Sequence, residues 1–439
     1  MSQSEPKEMT DVEKQACRDE VSNFLGEEWL GKDNGNPIQI AWKRKDHFAR
    51  TEIVTLGKCL SVLKEDHQKW ILDNIPAMKS KEVNNAHGAI FEVLLAGYQK
   101  MMENQHGLFE VIPARQHQQG YDVSLRFEDE FVENVSIKWL ASSHHNDVFH
   151  GKMKSLESKV KEIIKKLPHF GFNICVMLAK YPSSAQDWSK VGSKTIKLLE
   201  ELKDFNNLYV DDFVNVKVNI VDHHRHMKLY KGMQSYSFMA AAPYHKNEEN
   251  NIFAKIQKAA YTTNQKSPKS SEQIKNTCFI RIPTFIDPNY CRNICIKNKD
   301  LMKYDNLQSI LFYCAAIGTN LKENNSFIIH YIAPFITNVE HLVQTKKTHL
   351  PGLCFPMGVI SDKYDPPQLV NEMGEPFSLK EHYVYQNGKC YIDCLDYKMG
   401  EMIPLDSAPD GIETYHMVKV PDGSVCITAY KGTGELFIL

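Results

Sequence analysis

The chain has 439 residues, 42% of them hydrophobic and 24% charged, with a formal net charge of −2. That length implies two or three domains of about 100–200 residues each, and the near-neutral balance excludes a globally basic nucleic-acid-binding protein. No run of about 18 apolar residues is present to span a membrane, and eleven cysteines, scattered and odd in number, suit reduced thiols better than a disulfide framework. The polar, acidic opening MSQSEPKEMTDVEKQ is unlike a secretory signal, so a cytoplasmic protein is expected.

Residues 1–83 read as mainly helical. Thr10 and Glu13 stand at capping-box spacing before VEKQACRDEVSNFL, whose Val12, Ala16, Val21, Phe24 and Leu25 form an apolar stripe. After the turn-rich GKDNGNP, the segment IQIAWKRKD is expected to be a strand ending in Lys43, Arg44 and Lys45, and EDHQKWILDNI a further helix.

The stretch 84–140 carries the clearest pattern. In NAHGAIFEVLLAGYQKMM apolar residues recur at three and four positions, the period of an amphipathic helix that also bears Glu92. Three strand candidates follow: LFEVI, YDVSLRF and ENVSIKWL. Alternation puts Tyr121, Val123, Leu125 and Phe127 on one face and Asp122, Ser124 and Arg126 on the other. In the third strand Val135, Ile137 and Trp139 oppose Ser136 and Lys138. On spacing alone Asp122 and Lys138 read as a cross-strand ion pair, with Glu92 solvated.

Downstream, ASSHHNDVFH reads as a loop and SLESKVKEIIKKL as a basic helix with Leu156, Val160, Ile163 and Leu167 on one face. FNICVMLAKY has the continuous apolarity of a strand buried on both sides. A helix in DWSKVGSKTIKLLEEL and a strand FVNVKVNIV follow.

The order helix, strand, strand with Asp122, strand with Ser136-Ile137-Lys138, helix, strand resembles the core of the PD-(D/E)XK nuclease superfamily. The resemblance covers about residues 84–222 and implies an α/β fold: a restriction-endonuclease-like αβββαβ core with a central mixed sheet. It also implies that Asp122 and Glu92 are metal ligands, with the backbone carbonyl of Ile137 as a further one, and that Lys138 is the catalytic lysine that orients or activates water. Ser136 departs from the family pattern, standing where Glu, Asp or Gln is usual; its implied role is to hydrogen-bond a metal-bound water. The implied cofactor is Mg²⁺, with Mn²⁺ as a substitute, since a hard cation on oxygen ligands and a fixed ammonium suit a phosphodiester transition state.

Two histidine groups, His144 with His145 and His223, His224 with His226, follow strands and are candidates for phosphate contact, although loop histidines are mostly solvated. Cys291 with Cys295 and Cys390 with Cys394 share a CxxxC spacing but lack the turn residues of a zinc knuckle. Residues 230–375 form a second α/β region: a helix in EENNIFAKIQKAAY, a loop in TTNQKSPKSSEQIKNT, then strand CFIRIPTFI, helix NLQSILFYCAAIG and strand SFIIHYIAPFI. Residues 376–439 are β-rich, with hairpin turns at Gln386–Lys389 and Val420–Gly423.

Charge is unevenly spread. Residues 246–303 hold eleven Lys or Arg against five Asp or Glu, whereas residues 362–439 hold six against thirteen. Domains are therefore expected at 1–83, 84–229 (the nuclease-like core), 230–375 and 376–439. The function expected is that of a metal-dependent DNA endonuclease of restriction or defence type. The acidic C-terminal module would face a protein partner or a second copy, and the rival reading is a catalytically silent DNA-binding or scaffolding subunit.

Overall fold

In the computed structural model, the described residues are 9–32, 35–43, 47–114, 120–140, 143–167, 171–203, 206–220, 235–271, 273–283, 286–320, 325–337, 353, 355–361, 368–370, 376–378, 380–386, 415–419 and 425–429. They form a mixed α/β protein in two compact units. The first comprises residues 1–141, 249–364 and 436–439, the second residues 142–248 and 365–435.

The first unit opens with four helices, α1 (Asp11–Leu25), α2 (Glu27–Gly31), α3 (Pro37–Lys43) and α4 (His47–Met78), followed by α5 (Val83–His106). The Thr10 side chain accepts from the Glu13 backbone and the Glu13 carboxylate from the Thr10 N–H, a complete capping box. The expected strand in IQIAWKRKD is instead α3. Asn36 Oδ1 accepts the Ile38 N–H at 2.9 Å, and Pro37 stands at the first helical position. This start signal outweighs the β-branched residues, and Ile38 and Ala41 then share the buried side. Arg44 and Lys45 lie outside the described residues.

Strands β1 (Phe109–Pro113), β2 (Val123–Phe127) and β3 (Val132–Trp139) follow α5 as an antiparallel meander. In the second unit come α6 (His144–Ile164), β4 (Gly171–Leu178), α7 (Ala185–Glu200), β5 (Asn206–Val210), β6 (Val214–Ile220) and β7 (Ser235–Pro243). The chain then gives α8 (Glu248–Lys266), β8 (Ile274–Arg281), α9 (Pro288–Lys297), β9 (Ser309–Asn320), β10 (Asn325–Ile336) and β11 (Val359–Ser361). Short strands β12 (Gln368–Val370) and β13 (Pro376–Ser378), then β14 (His382–Gln386), β15 (Tyr415–Lys419) and β16 (Val425–Ala429), complete it. The β15–β16 hairpin is antiparallel with Lys419 opposite Val425.

The sheet of the first unit runs β1-β2-β3-β8-β9-β10-β11, with β3, β8 and β9 parallel to one another. The expectation that the core would close with β4 is thus corrected: β4 lies in a separate five-stranded sheet, β14-β7-β4-β6-β5, and the strand beside β3 is β8. α6 and β4 follow β3 directly in the chain, but β8, which follows α8, is the strand that pairs with it. Two further corrections concern helix and strand. Within ASSHHNDVFH, expected to be a loop, His144–His150 instead form the first part of α6, begun where Ser143 Oγ accepts the Asn146 N–H at 3.1 Å. NLQSILFYCAAIG is not a helix but β9. Its residues Leu311, Tyr313 and Ala315 enter one core while Ile310, Phe312 and Cys314 enter the other, and a strand buried on both faces shows no alternation to distinguish it from a buried helix.

Helices lie on both faces of the seven-stranded sheet. α1, α3, α4 and α5 pack over Val111, Val123, Leu125, Val135, Ile137 and Phe279. α8 and α9 cover the opposite face through Ile252, Ile256, Cys291 and Ile294 over Cys278 and Ile280. No helix among the described residues is long and apolar enough to cross a membrane.

The layer of helices is held close by a small residue. A Cβ placed on Gly97 of α5 would come within 2.8 Å of Cys59 Sγ and nearer still to its Cβ on α4. Gly97→Ala is therefore expected to destabilise the fold by roughly 1–3 kcal/mol through overpacking. Urea denaturation of the variant should show a lower midpoint; an unchanged midpoint would mean that α4 and α5 part without cost.

Candidate functional site

The site is built where β2 begins and β3 ends. Val123 pairs with Val135, and one residue earlier the Asp122 N–H donates to the Val135 carbonyl at 2.9 Å. This turns the Asp122 carboxylate toward the last residues of β3. Its Oδ2 accepts the Ile137 N–H at 2.5 Å and the Ser136 hydroxyl at 3.5 Å. Lys138, on the same face as Ser136, donates from Nζ to Ser136 Oγ at 2.6 Å and to the Ile137 carbonyl at 2.9 Å. The ammonium stands 3.8 Å from Asp122 Oδ2, and the two side chains are 29% and 28% exposed, open enough to meet a substrate.

Glu92 joins them from α5. Its neighbours Phe91 and Val93 are buried in the core, and Glu92 as a residue is half-buried. Burial and the nearby charge of Asp122 push it up to about 8, against the pull of Lys138. A carboxyl lifted this far holds its proton at neutral pH until a positive charge arrives. Four of the sequence-chosen residues, Asp122, Ser136, Ile137 and Lys138, are thus joined by direct contacts, and Glu92 is coupled to Asp122 and Lys138 through its charge.

The residue missed in the sequence is Arg281. It lies opposite Trp139 in the β3–β8 register, and its guanidinium carbon is 4.5 Å from the Trp139 ring centre and 5.1 Å from that of Phe91. His87 of α5 stacks on Trp139 with centroids 4.6 Å apart and planes 3° from parallel. Arg281 is 3% exposed, and burial brings it down to about 10. The signal was a lone arginine inside the apolar run CFIRIPTFI; only the non-local pairing shows that it flanks the site.

The donor set suits a hard cation. Two carboxylates and a backbone carbonyl supply oxygen alone, enough for Mg²⁺, which keeps several of its waters. The ammonium of Lys138 already rests on the Ile137 carbonyl and the Ser136 hydroxyl, so oxygen atoms converge here on positive charge. Among the described residues no group of three or more His, Cys, Asp or Glu side chains is arranged to hold a metal ion. Any cation would therefore lean on water and on the carbonyl as well as on Asp122 and Glu92.

The other candidates go elsewhere. His144 and His145 belong to α6 in the second unit. Cys291 and Cys295 are buried on α9, where apolar packing raises both thiols. His223, His224, His226, Cys390 and Cys394 lie outside the described residues. A cleft of about 650 Å³ opens at the opposite end of β2 and β3. Its Glu103, Glu110, Glu128 and Glu130 make it a poor seat for an anionic substrate.

The raised Glu92 carboxyl sets a pH dependence. The unfolded chain releases this proton near its ordinary value of 4.5, the native state only near 8, so between these values the native state binds more protons and stability falls as pH rises. Glu92→Gln should remove that loss. The variant should be more stable than the parent above pH 8, with the difference closing toward pH 4.5. Melting temperatures at pH 5 and pH 8.5 check it; equal differences at both would separate Glu92 from this charge cluster.

The chain matches no protein-family model, no curated protein and no solved structure.

Proposed function

We propose that the chain is a metal-dependent endonuclease that hydrolyses DNA phosphodiester bonds, of restriction or defence type. The observation that carries this reading is the contact set Asp122–Ser136–Ile137–Lys138, with the raised Glu92 carboxyl beside it. The element order supports it as well. α5, β1, β2, β3, α8 and β8 follow the helix, three-strand, helix, strand plan of a PD-(D/E)XK core, with β3 and β8 parallel and residues 142–248 inserted between β3 and α8.

Asp122, Glu92 and the Ile137 carbonyl would hold Mg²⁺ or Mn²⁺, which when bound supplies the positive charge that offsets the growing charge on phosphate. The side chains of this chain do the rest. Asp122 is oriented by the Ile137 N–H before any ligand arrives, so its carboxylate needs no rearrangement to face the substrate. An ammonium has three N–H donors, and two of those on Lys138 are directed to Ser136 and Ile137. The third is free to orient a water or a phosphate oxygen. Ser136 accepts from Lys138 and donates to Asp122, so it positions both.

Lys138→Ala and Asp122→Ala are each expected to reduce cleavage of supercoiled plasmid or single-stranded DNA by about 10³-fold or more. Activity should require Mg²⁺ or Mn²⁺ and vanish in EDTA. Ser136→Glu, which adds a carboxylate beside Asp122, should retain or strengthen the metal response, while Glu92→Gln should weaken it. Parent-like cutting by either alanine variant would refute the site assignment, and a metal titration unchanged in Glu92→Gln would remove Glu92 from it.

A further inference from the structure

The second unit carries a surface that the hydrolytic site does not use. Residues 142–248 hold sixteen Lys or Arg against eleven Asp or Glu, although the whole chain is slightly acidic, and they contain eight of its 18 histidines. Much of this positive charge is already neutralised. On α6, Lys161 pairs with Glu157 at 3.0 Å and Lys165 with Glu162 at 3.2 Å. On α7, Lys190 pairs with Asp211 at 3.3 Å and Lys197 with Glu201 at 3.8 Å. Lys152 and Lys159 differ: both are exposed on α6, they stand seven residues apart in line with His145 and so share one side of the helix, and neither forms an ion pair among the described residues.

Aromatic rings gather at the N-terminal end of the same helix. His145 stacks on His245 with centroids 3.9 Å apart, and Tyr181 sets its edge against both, at 5.6 Å and 5.4 Å. All three rings are half-buried, so part of each faces solvent. They are held from beneath: the Tyr181 hydroxyl donates to the His145 carbonyl at 2.9 Å, and the Tyr383 hydroxyl donates to Glu248 at 2.7 Å while accepting the His245 N–H at 3.3 Å. Burial and the neighbouring His245 lower His145, against the pull of Glu248, so its ring is neutral near pH 7 and stacks rather than acting as a fixed cation. Exposed Lys180 and Lys246 adjoin Tyr181 and His245 in the chain. The nearest exposed acid in sequence to Tyr383 is Glu381, whose backbone carbonyl accepts from Tyr244.

Unpaired lysines spaced along a helix, ending in a fixed platform of neutral rings, match a polymer with regularly spaced negative charge and flat, stackable groups. We propose that this face of the second unit binds single-stranded DNA, with Lys152 and Lys159 on the phosphates and the His145–His245–Tyr181 rings stacking an unpaired base. An acidic protein segment would satisfy the lysines but offers nothing to the rings. The identity of the polymer rests on the nuclease reading above; the surface itself does not.

The test uses the full chain in EDTA, with a fluorescently labelled 30-nucleotide single strand followed by anisotropy across a salt series. The parent should bind, and Lys152→Gln/Lys159→Gln should weaken binding about fivefold or more near 100 mM salt and flatten the slope of log K against log salt by about 1.4, as expected for two lost phosphate contacts. His145→Ala should weaken single-strand binding about fivefold with little change for a duplex of the same sequence. Circular dichroism of the double variant should match the parent, because both positions are exposed. Parent-like binding and slope in the double variant, absence of DNA binding by the parent, or equal competition by polyglutamate would each overturn the proposal. Lysine-dependent binding without metal-dependent cutting would retain this surface and remove the nuclease reading; cutting without lysine dependence would do the reverse.

Discussion

The pairing of β3 with β8 is the constraint on which the first unit depends. β3 is antiparallel to β2 on one side and parallel to β8 on the other, and its alternate residues feed the core and the site. A slip of one residue would send Val135 and Ile137 out of the core and Ser136 and Lys138 into it. The apolar side chains alone tolerate such slips poorly but do not name the register. Buried polar groups do: Glu133 meets Lys275 at 3.4 Å and accepts the Thr277 hydroxyl at 2.7 Å, and Thr277 contacts Ser309 at 2.9 Å across β8 and β9.

Beside this ladder, Asn134 donates to Asn276 at 3.1 Å, and Asn276 binds the Gln308 side chain through its N–H at 2.7 Å. Glu133 is 1% exposed and Lys275 6%, so either charge left alone would be costly to bury. Such a pair adds little net stability, yet any other register would strand its charges. The polar ladder at one end of β3 thereby fixes the positions of Ser136 and Lys138 at the other.

What could be read from the sequence was local. The capping box at Thr10 and Glu13, the period of α5 and the alternation of β2 and β3 each depend on residues within one element, and the structure has them as expected. So did the facing of Asp122, Ser136 and Lys138, which alternation alone decides. The partner of β3 could not be read this way, because β4 and β8 are both apolar strands that follow a helix, and the choice between them is made by Asn276, Thr277 and Lys275 meeting β3 over 140 residues away. Arg281 was hidden for the same reason. β9 reads as a helix in sequence because both its faces are buried and no alternation survives, and α3 reads as a strand because Asn36-Pro37 has the composition of a turn while acting as a helix start.

The charge balance at the site explains how serine can stand at position 136. A third carboxylate there, beside Asp122 and Glu92, would add repulsion to a group that burial and Asp122 already drive up to about 8. Serine is neutral and bridges instead, taking a hydrogen bond from Lys138 and giving one to Asp122. The second negative charge is then supplied from α5, in a half-buried position where it is expensive without a cation and favourable with one. With its second carboxyl on the helix, the cluster can keep Glu92 protonated, so that its ionisation answers to nearby positive charge. The strand keeps only the charges that its own hydrogen bonds can hold.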